Sequence, residues 1–380
     1  MSGAAVVSYN LSKFLEGEKL LLQLSSRVGT YDEFPNLRIT TLKNPDKYRF
    51  GKLALIPLSI RAILSEVRRF RPDVVVLEGA SWVVYHLLLL CGIRRMTPQA
   101  KIIYHAHNVE YLLRSQRERH AVSALTRWAE ARVVRNADVT TAVSEVDQKH
   151  FAHLYGVRPT VLPNGVDLER FTNPKPEILE RLRLLHHLDR HTLLFTGFYA
   201  YGPNREAIDF LVNRVMPSIR EHYPSATLAL TGGGAPYSEP WIRNVGPIAY
   251  DEFAAFVAGC GIAIAPIFSG SGTRLKILEA MAAGIPVVAT EKGAEGLPLC
   301  DRKDLLLAKN ASEFIGSIRE LFQHPTFAEA LTRGARSTIG AFSWSKIVTE
   351  FERIIFEDEM RHQAAERVEL KSAPWSDNCY

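Results

Sequence analysis

Cysteine is scarce and scattered in this chain. Cys91, Cys260, Cys300 and Cys379 stand far apart, with no Cys-x-x-Cys pair and no histidine at metal-ligand spacing. That argues against a disulfide framework or a zinc site and for a reducing compartment. No Asp-x-Asp pair occurs, so the carboxylates that would seat a divalent cation on a diphosphate are missing. The longest apolar run, Trp82 to Ile93, is broken by His86 and is too short to cross a bilayer. The opening residues show no basic stretch followed by an apolar one, so no secretory signal is expected and a cytoplasmic location is. Neither half carries Gly-x-Gly-x-x-Gly after its opening strand, which disfavours a dinucleotide-dependent oxidoreductase. Charge is nearly balanced: 46 Lys and Arg against 41 Asp and Glu leave +5, a mild bias toward anionic ligands or membrane surfaces. Nucleic acid is not called for. Repeats and low-complexity tracts are also absent.

What is present is 380 residues, enough for two hydrophobic cores. Helices are expected at Ala4 to Leu15 and Leu53 to Phe70, the second stopped by Arg71-Pro72 and followed by the apolar strand Asp73 to Leu77. This helix-then-strand pattern belongs to a parallel α/β sheet, and it repeats at Lys101 to Tyr104, Val139 to Val143 and Pro159 to Leu162. Leu162 to Asp167 reads as a turn and the Pro-rich Thr172 to Pro176 as the start of a polar linker. Beyond it come strand Thr192 to Thr196, helix Arg205 to Arg220, strand Thr227 to Leu230, helix Asp251 to Ala258 and strand Ile262 to Ala265. Helices near Ser312 to Phe322, Phe327 to Thr338 and Ser345 to Phe356 end the ordered part. Two βα halves on one linker leave a cleft between them.

The most informative stretch is Ser269 to Thr290. Its glycine-spaced loop runs into a helix, and the first-turn amides of such a helix form an anion seat. Arg274 and Lys276 add two charges at that mouth. Glu279, whose Cβ leans toward the helix start, suits sugar hydroxyls rather than phosphate. The plain alternative is an exposed Lys276/Glu279 pair at i and i+3, worth a few tenths of a kcal/mol. Gly197, Gly232 to Gly234 and Ser269 to Thr273 follow strands of the second half, while His107-Asn108 and Ser144-Glu145 follow strands of the first. In open parallel sheets ligands gather at such strand ends.

Taken in order, His107-Asn108-x-Glu110, Asn136-Ala137-Asp138, Val143-Ser144-Glu145, Pro163 to Asp167, Gly202-Pro203-Asn204, Gly270 to Glu279, Pro286-Val287-Val288 and Gly293 to Leu297 resemble the group 1, family 4 glycosyltransferases. The resemblance runs from Gly3 to about Phe356. It implies an α/β GT-B fold: two facing Rossmann-like domains with parallel sheets and an interdomain cleft. The implied boundaries are an acceptor domain over 1–170, a donor-nucleotide domain over 171–345, a helix over 346–360 packing back on the first domain, and a polar tail over 361–380. The implied activity is metal-independent transfer of a sugar, with retention, from a nucleoside diphosphate sugar, and no further cofactor.

Residue by residue, the resemblance gives His107 a place beside the reacting carbon and Glu279 the donor ribose. Gly197 and Asn204 fall at the diphosphate; Gly246, Pro247 and Ile248 fall at the base; Gly3 and Glu110 fall on the acceptor side. Ser271, Gly272 and Thr273 line the donor loop, and Ser271 replaces the first Glu of the family's Glu-x7-Glu pair. Where the family places Arg and then Lys-Gly after the Gly197 strand, this chain reads Phe198 to Asn204. Arg274 and Lys276 are therefore expected to supply the missing charge. The strand that precedes Gly3 in the family has no counterpart here. The acceptor, carbohydrate or lipid-linked, is not written in the motifs. Arg114, Arg117, Arg119, Arg127, Arg132 and Arg135 around Leu125 and Trp128 suggest peripheral contact with an inner membrane face or simply a solvated helix. A nucleotide-sugar epimerase and a catalytically silent subunit are the rival readings.

Overall fold

The computed structural model describes residues 3–25, 29–34, 37–43, 52–79, 83–115, 120–270 and 275–356. Strands β1 (Lys19–Ser25), β2 (Gly29–Phe34) and β3 (Leu37–Lys43) form a small mixed sheet in which β3 is central, parallel to β1 and antiparallel to β2. Strands β4 (Val74–Gly79), β5 (Lys101–Ala106), β6 (Val139–Ala142) and β7 (Thr160–Val161) form a separate parallel sheet in sequence order. Helices Lys52–Phe70, Val83–Met96 and His120–Asn136 bury Val67, Leu89, Ile93 and Val133 with Ile102 and Tyr104 of β5.

The second lobe is one parallel sheet of β8 (Thr192–Thr196), β9 (Thr227–Thr231), β10 (Ile242–Gly246), β11 (Ile262–Ala265), β12 (Val287–Ala289) and β13 (Leu306–Leu307). Its order is β10-β9-β8-β11-β12-β13. Alternate residues feed opposite faces, as the pleat requires. Leu194, Ala263, Ala265 and Val287 meet helices Tyr250–Gly259 and Leu275–Ala283, whereas Leu193, Phe195, Ile262 and Ile264 meet the helical run from Gly202 to His222 and helix Ala311–Gln323. The chain leaves β8 toward β9 and β10, then returns to the other side at β11. The order therefore reverses between β8 and β11, where a crevice opens at the strand ends.

Two expectations need adjusting. The stretch after Thr172 is not a polar linker: Pro176–His186 is a helix with Pro176 at its first turn. Ile178, Leu179 and Leu182 share one face and pack on the second lobe, while Leu184 and Leu185 remain exposed and blur the pattern. The helix expected from Arg205 begins at Gly202 and passes through a π-helical turn, Leu211–Val215.

The chain crosses between lobes twice. Val166 N–H donates to Phe342 O at 2.7 Å, Trp344 N–H to Val166 O at 3.2 Å, and Trp344 packs where a Gly165 side chain would be. Residues 344–356 then form a helix whose Ile347, Val348, Phe351 and Ile355 bury Val7 and Leu11 of helix Gly3–Phe14 and Ile103 of β5. No described helix is long and apolar enough to cross a membrane.

Candidate active site

Three strand ends of the second lobe are locked together by backbone. Gly197 N–H donates to Thr231 O, Tyr199 N–H to Gly233 O, and Gly232 N–H to Gly246 O at 3.0 Å. Gly232, Gly233, Gly234 and Gly246 all hold positive φ. A Cβ on Gly232 would lie 2.7 Å from the Gly197 carbonyl carbon, so only glycine permits this approach. Asn204, in the first turn of the helix that follows β8, donates to Phe198 O at 3.1 Å. Lys276 crosses the crevice from helix Leu275–Ala283, its Nζ 3.2 Å from Asn204 Oδ1 and 4.1 Å from the Phe195 ring centre. A cation, a helix N-terminus and left-handed backbone thus meet at the strand-order reversal.

Glu279 is half-buried and shares a cavity with Lys276, Thr196 and Ala265. Burial pushes its carboxyl up to about 7, against the opposing pull of Arg170 and Lys276. Arg170 stacks on Tyr250 at 3.7 Å and also donates to its carbonyl.

In the first lobe, His107 lies just past the end of β5, 8% exposed, with Nε2 2.5 Å from Glu78 Oε2. Glu78, the penultimate residue of β4, is in register with His105. Donor atoms of Glu78, His105 and His107 all lie within 4.8 Å of one another, but His107 Nε2 is spent on Glu78 and His105 Nδ1 on Thr141 Oγ1. Glu110 opens the short helix Glu110–Ser115, is 4% exposed and pairs with Arg114. Its backbone N–H and that of Tyr111 donate to buried Glu130, which also accepts from Tyr155 Oη at 2.6 Å. Burial lifts Glu130 to about 7.

Helix Gly3–Phe14 joins the two regions. Ser8 hydrogen-bonds Glu78 beside His107, and the next residue, Tyr9, meets Tyr250 edge-on at 5.7 Å, next to the Arg170 that faces Glu279. At the other end of the contact, the Gly293 to Leu297 segment reaches Ser144: a Cβ on Gly296 would stand 3.0 Å from that residue.

Of the residues singled out from sequence, Gly197, Asn204, Gly246, Lys276 and Glu279 gather around the crevice. Ile248 packs its side chain on the second-lobe core, leaving its backbone for contact. Gly3 starts the first helix. Ser271, Gly272, Thr273 and Arg274 lie outside the described residues. Glu78, Glu130, Arg170 and Tyr250 were not read from sequence; none belongs to a spaced motif, and only strand register or the interlobe fold brings them here.

Residues 1–170 match the model of Glycosyltransferase Family 4, and residues 190–324 that of Glycosyl transferases group 1. The chain belongs to the family 4, group 1 glycosyltransferases. As a family 4 chain it is 31% identical over 200 residues to the GDP-mannose-dependent alpha-(1-6)-phosphatidylinositol monomannoside mannosyltransferase of Mycolicibacterium smegmatis, over 47% of this chain and 51% of that protein. It spans about half the length of the first curated relatives it matches. Among solved structures it resembles sucrose-phosphate synthase from Thermosynechococcus elongatus, with TM-score 0.70, 18% identity and coverage of 90% of this chain and 89% of that one. It also resembles Anabaena HepE solved with UDP and glucose, with TM-score 0.71, 15% identity and coverage of 93% and 96%. The fold of this family 4 chain is GT-B.

Proposed function

We propose that this chain transfers a sugar, with retention and without a metal, from a nucleoside diphosphate sugar to an acceptor held between its lobes. The observation that carries this reading is the junction of β8 and β11, where Lys276 and Asn204 meet a helix N-terminus and glycine loops. Such a junction suits a diphosphate. Glu279 would take the ribose hydroxyls and the Gly246 to Ile248 backbone the base, with the sugar toward His107. In the reaction the C1–O bond to the distal phosphate breaks with its electrons going to the phosphate. The acceptor oxygen bonds C1 on the same face, and its proton passes to the departing phosphate oxygen. Lys276 and the loop amides offset the growing phosphate charge, and closure of the lobes excludes water.

The M. smegmatis relative is named for GDP-mannose and a phosphatidylinositol mannoside, and HepE was solved with UDP and glucose. These support a nucleotide-sugar donor and a lipid-linked or carbohydrate acceptor. Helix His120–Asn136 exposes about half of Leu125 and Trp128 beside Arg132, a face suited to an anionic membrane carrying such an acceptor.

The test is a panel of nucleoside diphosphate sugars screened by thermal shift, followed by acceptor-free turnover. One donor should raise Tm and slowly release nucleoside diphosphate. Release of an epimer would favour the epimerase, and neither stabilisation nor release with any donor would reject the transferase in favour of a silent subunit.

A further inference from the structure

We propose that Glu78 is a positioning residue for transfer at this site: its carboxylate dictates which ring nitrogen of His107 carries hydrogen and which is presented to the donor sugar. The inference rests on the transferase reading above. Nothing in the sequence motifs includes Glu78; it meets His107 only because β4 and β5 pair with Glu78 opposite His105. Glu78 Oε2 stands 2.5 Å from His107 Nε2. An ionised carboxylate only accepts, so Nε2 holds the hydrogen and Nδ1 is left as the lone-pair nitrogen.

The surroundings hold this arrangement in place. Ser8 from helix Gly3–Phe14 hydrogen-bonds Glu78. His105 spends Nδ1 on Thr141 Oγ1 of β6 at 2.7 Å, with its ring 6.0 Å from Phe351, and it meets His107 edge-on at 5.1 Å. The groups facing the His107–Glu78 pair are thus His105 from the same strand, Ser8 from the first helix and, behind His105, Thr141. Burial lowers His105 to about 4, so that ring is uncharged at neutral pH. Burial alone would raise Glu78, but His105, His107 and the Ser8 hydroxyl together hold it below its ordinary value. The carboxylate thus faces the Nε2–H side of His107, which makes Nδ1 of that ring a better acceptor for a sugar hydroxyl.

Glu78→Gln tests this with the full chain, since the amide oxygen can still accept from Nε2 while the charge is gone. Histidine-ring nitrogen NMR, with the His107 signal identified by its loss in His107→Gln, should show the Nε2–H tautomer in the wild type. In Glu78→Gln the preference for Nε2–H should weaken, because the amide can donate to Nε2 as well as accept from it. In donor turnover, Glu78→Gln should lower kcat about tenfold with donor KM little changed. Glu78→Asp should restore part of the rate, and melting curves should show both variants folded. An Nδ1–H tautomer in the wild type, or a tautomer balance unchanged in Glu78→Gln, overturns the pairing. A shifted tautomer balance with wild-type kcat overturns its part in transfer and leaves the transferase reading intact. Stoichiometric zinc binding lost in Glu78→Gln would make the cluster a metal centre and overturn the proposal as well. A wild type inactive with every donor would strike the transferase reading, and the NMR tautomer measurement would then decide the pairing by itself.

Discussion

Glu279 gives the most quantitative test of the donor site. Burial lifts its carboxyl from 4.5 to about 7. At about 1.4 kcal/mol per pH unit, ionising it in the free protein costs about 3 kcal/mol, and at pH 7 about half the molecules hold the proton. Ribose hydroxyls hydrogen-bond more strongly to the ionised form, so donor binding should lower this pKa and expel the proton. Calorimetry in two buffers of different ionisation enthalpy should count about 0.5 proton released per donor at pH 7 and about 0.1 at pH 8. Glu279→Gln should abolish that release and weaken donor binding about ten- to a hundredfold. The same group shapes stability. Its folded pKa lies above its unfolded one, so its contribution is fully present below about pH 4.5 and is lost as pH rises through about 7, a change of about 3 kcal/mol that Glu279→Gln should remove. Glu130 titrates in the same window, so the wild-type minus variant difference is the quantity to read. Equal proton release by the two proteins would refute the assignment of ribose to Glu279.

Gly232→Ala must place a methyl 2.7 Å from Gly197 backbone at φ +95, whereas Gly246→Ala at φ +77 meets nothing within 4 Å. The second should cost only the strain of left-handed alanine, about 1–2 kcal/mol in chemical melts, and the first distinctly more, with loss of donor affinity. Glu130→Ala strips the acceptor from two backbone N–H groups and Tyr155, and should cost about 3 kcal/mol by denaturant titration. Sedimentation with anionic liposomes should fall severalfold in the Leu125→Glu, Trp128→Glu double variant while donor-stabilised Tm is retained; unchanged sedimentation would remove the membrane face.

Strands such as Thr192–Thr196 and Ile262–Ala265 were legible to the residue because β-branched and apolar runs end at glycine or a helix break, and both faces of the sheet are buried. The helix Pro176–His186 was not, since only Leu182 is fully buried and Leu184 and Leu185 face outward. The Gly202–His222 run hid its start because Gly202 and Pro203 read as turn residues, although Pro is suited to a first helical turn. At the site, the Lys276 and Glu279 spacing singled out the helix Leu275–Ala283, which lies at the crevice. The contact of Lys276 with Asn204, 72 positions away, and that of Glu78 with His107 depend on sheet order, which periodicity does not encode.

The two passages of chain between the lobes run side by side, tied at Val166 and Ser343 and wedged by Trp344 against Gly165. A single strap would allow one lobe to swivel as well as tilt, but a doubled strap bends easily about one line only. On the proposed function, opening and shutting along that crease would carry a donor held at Lys276 toward His107 along a fixed arc.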